Sequence, residues 1–173
     1  MRPIVTCMVA LALAGPPPLW GQTGSWKKLR YAGGTLPEKT VNPTGDPYDW
    51  DTTLTVTGDA IVVYFTHGIA IQRLRIKPDQ VTTLSYGEEA RRRVSDIVAE
   101  GVLFPPLALF GLLHKSKTHF IGIEYRASTS SIGKIDYDLG KRGAILLEAD
   151  KNDYTAILLL LKTVTGKPVE NAP

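Results

Sequence analysis

The chain has one cysteine, Cys7, and it lies at the very start rather than in the body of the sequence. Disulfides, cysteine nucleophiles and cysteine metal ligands are therefore excluded from everything downstream. Histidine is also scarce, with His67, His114 and His119 only. His114 and His119 stand five apart, which suits neither one helix face nor one strand face, and no paired carboxylates sit at ligand spacing, so no metal site is expected. No Ser/His/Asp order or nucleophile elbow is visible. Gly33-Gly34 reads as a turn, because no phosphate-binding helix follows it. Asp136-Tyr137-Asp138-Leu139-Gly140 lacks the remaining ligands of a calcium loop. No catalytic residue and no cofactor is expected; a hydrolase whose site assembles only in space is the remote alternative. An excess of one charge is missing as well. Twenty basic residues against 17 acidic ones leave a net charge of +3, which is no nucleic-acid footprint by itself.

What is present begins with residues 1–22. Arg2 supplies one early positive charge, an apolar run follows, and Ala12-Leu13-Ala14 fits the small-x-small pattern of a signal peptidase site before Pro16-Pro17-Pro18. Cleavage is expected between about residue 14 and residue 22, leaving residues 23–173 as one exported domain in the periplasm or cell envelope. The run is shorter than the ~20 residues a spanning helix needs.

Strand signals then dominate. Trp26 to Tyr31 reads as a short strand, and residues 37–51 as a loop rich in Pro, Gly, Asn and Asp. Thr52–Thr57 and Ala60–Phe65 flank Gly58-Asp59, a hairpin signature. Ile69–Ile76 and Gln80–Tyr86 follow, then His119–Arg126 and Arg142–Ala149, with Ser128–Lys141 read as a polar loop. The last element, 150–166, reads as a helix. Asp150 or Asn152 is its expected cap, Tyr154, Ile157, Leu158 and Leu161 its buried stripe, and Gly166 its stop.

This order resembles the pleckstrin-homology-like superfold. The resemblance implies a mainly β domain: a bent seven-stranded barrel or sandwich with a C-terminal helix. The segments Leu54–Thr57, Val81–Gly87, His119–Tyr125 and Asp150–Tyr154 look like those of small exported bacterial proteins of unknown function. In the superfold, positions such as Arg73, Arg75 and Lys77 can bind phosphoinositides. The matching loop motif is not recognisable here, and a solvated face is the better reading.

Residues 88–117 break the β pattern after the fifth strand. Val94, Ile97, Val98 and Val102 recur at helical spacing, Pro105-Pro106 interrupts, and Leu107 to Leu113 is wholly apolar. Residues 94–113 number twenty, enough to raise the spanning question. Asp96, Glu100 and the double proline argue against a span, and so does the need for strands on both sides to pair. A helical hairpin resolves this. Leu103, Phe104, Leu107, Leu109, Phe110, Leu112 and Leu113 then form an apolar tip, and Arg91, Arg92, Arg93, Lys115 and Lys117 (with His114) form a basic collar at its base. Such a wedge suits an anionic membrane surface or a membrane protein as partner. The alternative is a hairpin that covers an open end of the barrel, with Leu107, Leu109, Phe110, Leu112 and Leu113 as core.

Overall fold

Period-two burial shows how the strands form. In β2 (Thr52–Val56) and β3 (Ile61–Phe65) every other residue is buried, and the two pair antiparallel from Thr52↔Phe65 to Val56↔Ile61. Their turn is closed by the Thr57 amide donating to the Ala60 carbonyl at 2.8 Å and the Thr57 hydroxyl donating to Asp59 at 3.0 Å. These details come from a computed structural model, which describes residues 23–36, 50–68, 71–101, 118–132, 135–138 and 142–171. The remaining strands are β1 (Gly24–Gly34), β4 (Arg73–Ile76), β5 (Val81–Tyr86), β6 (His119–Tyr125), β7 (Thr129–Ile132), β8 (Ile135–Asp138), β9 (Gly143–Ala149) and β10 (Val169–Asn171). The helices are α1 (Gly87–Gly101) and α2 (Tyr154–Thr165), with a 3-10 turn at Pro78–Gln80.

The protein is mainly β. The ten strands form one sheet in the order β10-β5-β6-β9-β1-β2-β3-β4-β7-β8. Among the described residues only the β10–β5 pair is parallel. The sheet has to curl. Five strands separate β4 from β5, so a flat sheet would hold them about 29 Å apart at ~4.8 Å per strand. Yet only the residues between Ile76 and Val81 join them, and five extended steps reach about 17 Å. The curl gives one concave face, where Leu29, Leu54, Ile61, Leu74, Leu84, Ile123 and Leu147 meet in a single cluster. Ile157 and Leu161 of α2 drop into it from one side. The convex face carries α1, whose Ala90, Val94 and Ile97 pack on Ala144 and Leu146 of β9, with Ala32 and Phe120 alongside. Beneath α1, Gly122 lets the helix approach: a Cβ there would lie 2.4 Å from Ser85 Oγ and 3.2 Å from Ala90 Cβ.

Four expectations are corrected in detail. Among the described residues ten strands replace seven, because Ser128–Lys141 holds β7 and β8 and the tail after Gly166 adds β10. β7 joins through its backbone to Arg73–Arg75, so its polar sequence gave no apolar alternation to read. The barrel is not closed, since β8 and β10 are the two ends of the order. Strand β4 begins at Arg73 rather than Ile69, with residues 69–70 outside the described set. Finally, α2 begins at Tyr154, not 150, and Asp153 precedes it without a side-chain capping bond. Asp150 instead accepts the Asn152 amide at 2.9 Å, folding the turn before the helix. Gly166 ends α2 with φ of +66° and donates its amide to Lys162, as a left-handed stop requires.

Candidate functional site at the root of the insertion

The helical insertion leaves the sheet at Tyr86 and rejoins it at His119. These residues lie on adjacent antiparallel strands, with Tyr86 opposite Ile121. Its two ends are therefore side by side. The described part of the insertion is α1, about 22 Å long at 1.5 Å per residue, lying on the convex face. Residues 102–117 lie outside the described residues. They include Leu103, Phe104, Leu107, Leu109, Phe110, Leu112, Leu113, Lys115, Lys117 and His114. Residues 1–22, expected from the sequence to be a signal peptide, also lie outside them. Among the described residues no helix is long and apolar enough to cross a membrane.

The three collar arginines all have acidic partners. Arg91 donates to both Glu88 oxygens at 2.9 and 3.0 Å, and its guanidinium lies 5.3 Å from the Phe120 ring centre. Arg92 donates to Glu89 at 2.6 and 3.1 Å. Arg93 reaches further. Its Nε donates to Glu124 at 2.7 Å, and one terminal nitrogen lies 2.7 Å from Glu170 and 3.8 Å from Glu89. One guanidinium thus joins α1, β6 and β10. Glu124 is only 3% exposed on its side chain and has a second cation, Arg142, at 3.7 Å. Hydrogen bonding to Glu124 is the main cause of an Arg93 guanidinium held above its usual range, and burial opposes it.

An aromatic cluster stands at the same root. The Tyr86 hydroxyl lies 2.7 Å from His119 Nδ1, and the two rings are within 16° of parallel with centres 6.2 Å apart, so they lie edge to edge. Tyr154 of α2 lies across both, 3.9 Å from His119 and 5.4 Å from Tyr86. Burial and then the neighbouring Tyr154 push the Tyr86 hydroxyl above its ordinary range. The cluster fastens the first turn of α2 to both strands from which the insertion springs. Among the described residues, no group of three or more His, Cys, Asp or Glu is arranged to hold a metal ion.

Sequence reasoning placed Arg91–Arg93 on the helix but missed Glu124, Glu170 and the Tyr86–His119–Tyr154 cluster. A glutamate inside the apolar strand His119–Tyr125 was the one local signal. The cluster gave none, because its members come from three separate elements.

Two carboxylates give a pH expectation. Glu89 is held below the usual carboxylate range chiefly by its hydrogen bond with Arg92, and Asp150 chiefly by the Asn152 amide. A lowered native value means their contribution is complete above the unfolded value of about 4 and disappears as pH falls through the native one. The thermal midpoint is expected to fall between about pH 5 and pH 3, and to fall less in Glu89→Gln and Asp150→Asn. Calorimetry across that range checks it; equal slopes in wild type and variants would contradict it.

Compared with known proteins, the chain matches no family model, no curated protein and no solved structure.

Proposed function

We propose that this is an exported, non-enzymatic binding or scaffold domain of the cell envelope that touches a membrane surface through the apolar residues 103–113. The observation that supports the reading is that Tyr86 and His119, the strand residues flanking the insertion, stand on neighbouring strands of one sheet, so the insertion is joined to the domain at one place. Each face of that sheet already carries a helix, α2 on the concave side and α1 on the convex side. An apolar run of this length beside occupied faces suits burial against something outside the domain. Seven strands form the uninterrupted run β5-β6-β9-β1-β2-β3-β4, and α2 enters their concave face, which supports the pleckstrin-homology-like reading.

With Arg91, Arg92 and Arg93 committed to Glu88, Glu89, Glu124 and Glu170, attraction to anionic lipid rests on Lys115 and Lys117. Apolar burial is therefore the main drive, worth about 1.5–3 kcal/mol for each fully inserted Leu or Phe.

Flotation of the chain with phosphatidylcholine vesicles tests the reading. Wild type is expected to float, with only a modest gain when phosphatidylglycerol is added. Leu109→Asp with Phe110→Asp is expected to reduce the bound fraction about ten-fold while leaving the fold intact. A wild type that stays at the bottom of the gradient, together with a double variant that misfolds, would instead mark the insertion as part of the protein's own core.

A further inference from the structure

Helix α2 does not turn polar on the side that faces away from the core. Ile157 and Leu161 enter the concave cluster, whereas Leu159 stands on the far side and is 65% exposed. Exposed Ala156 lies one turn before it, and half-buried Leu160 beside it. Thr163, one turn on, donates its hydroxyl to the Leu159 carbonyl at 2.8 Å, so its polar atom is already bonded within the helix. None of the twelve residues of α2 is acidic, and Lys162 carries its one charge. A helix seated by a single face ordinarily presents charges on the other, and one that is apolar nearly all round is suited to cover on both sides. Trp26 of β1 widens the patch. A Cβ built on Gly24 would meet its ring at 2.3 Å and Leu160 Cδ2 at 2.9 Å, which places those two side chains next to each other.

The root of the insertion lies at the same end of the domain. Leu29, Ala149 and His119 stand in one line across β1, β9 and β6. The chain runs from Ala149 into the turn before α2, and Trp26 lies beyond Leu29 in that same direction. Tyr154, in the first turn of α2, stacks on His119 at 3.9 Å. Leu159 is thus about 8 Å along the helix from a residue that touches the root, at 1.5 Å per residue.

We infer that α2 is a second lipid contact: its outer face, with Trp26, lies in the interfacial layer of the bilayer that receives the insertion. The inference rests on the membrane reading above and adds an orientation to it, with the end of the domain that holds His119, Ala149 and α2 turned toward lipid. Two features favour lipid over a second copy or another folded protein. The patch is one leucine and one alanine with two half-buried neighbours, far short of the ~800 Å² that each partner in a stable complex buries. Its charges also suit headgroups. Lys162 and Lys151 are exposed at and just before the helix, and a lysine stem can lie along apolar surface while its ammonium group reaches a lipid phosphate. An aromatic ring such as that of Trp26 is at home in the same layer.

The single cysteine makes site-specific labelling direct. In the full chain carrying Cys7→Ser, an environment-sensitive fluorophore is attached through Leu159→Cys, Leu109→Cys or Arg126→Cys, one at a time. Arg126 follows the far end of β6, about 23 Å from His119 at ~3.3 Å per residue, and serves as the reference. With phosphatidylcholine vesicles, emission at 159 and 109 is expected to shift to the blue while that at 126 stays as in buffer. Leu159→Asp should lower the floated fraction about three-fold and leave the urea midpoint unchanged, since Leu159 is not part of the core. A shift at 109 without one at 159 would overturn the α2 contact and leave the insertion reading standing. No shift at either would overturn both. An equal shift at 126 would overturn the orientation. A shift at 159 that grows with protein concentration in the absence of vesicles would assign the patch to a second copy and overturn the lipid assignment.

Discussion

Replacing Arg93 by methionine is expected to lower the unfolding free energy by about 2–3 kcal/mol, read as a lower urea midpoint. The loss is less about attraction gained than about what remains. Glu124 is buried on the convex face beneath α1, and without the Arg93 Nε–H its nearest cation is Arg142 at 3.7 Å. Leaving a buried carboxylate so poorly partnered costs about 3–5 kcal/mol when both groups are fully enclosed. Arg93 is 30% exposed, so water screens part of that and the lower figure applies. The asymmetry is the sharper check. Glu124→Leu removes the buried charge and leaves Arg93 facing Glu89 and Glu170, so it is expected to cost less than Arg93→Met. The double variant should recover most of the loss. A double variant as unstable as the sum of the two singles would show that the pair is not coupled.

The second large effect is expected at Gly122. Valine there would place a Cβ 2.4 Å from Ser85 Oγ and within 3.2–3.3 Å of the Ala90 Cβ and Cα. Ser85 can rotate, but the backbone of Ala90 yields only if α1 lifts from the sheet. Overpacking costs about 1–3 kcal/mol, and a branched side chain under a seated helix is expected at or above about 3 kcal/mol. Lifting α1 also opens its contacts with Ala144 and Leu146, so amide exchange should rise along Gly87–Gly101 and remain slow in β2 and β3. Uniform acceleration across the whole sheet would contradict this local picture.

The elements legible in the sequence were those that bury one face at a regular period. The β2–β3 hairpin announced itself by alternation around Gly58-Asp59, and the apolar stripe of Val94, Ile97 and Val98 marked α1. Strands β7 and β10 were hidden for the opposite reason. One is polar, the other is three residues long, and both lie near the ends of the sheet order, where backbone pairing does more than side-chain burial. At the insertion root the arginines were visible as a cluster, but their neutralisation was not. Glu88 and Glu89 lie one turn before Arg91 and Arg92, so those pairs follow i,i+3 spacing. Glu124 and Glu170 reach Arg93 only through the tertiary fold. Arg73, Arg75 and Lys77 were readable as an alternating stripe, and Arg75 and Lys77 do alternate with the buried Leu74 and Ile76.

The position of β1 in the sheet has a consequence for how the chain is made. It is nearly the first element in sequence, yet it lies in the middle of the sheet between β2 and β9, with Leu29 opposite Ala149. About 120 residues must emerge before that ladder can close, and pairings so distant are slow to form. Until β9 arrives, β1 has one unsatisfied side and the concave core lacks Ile145 and Leu147. A nascent chain therefore stays open through most of its synthesis, with apolar strands exposed that a holding chaperone could grip.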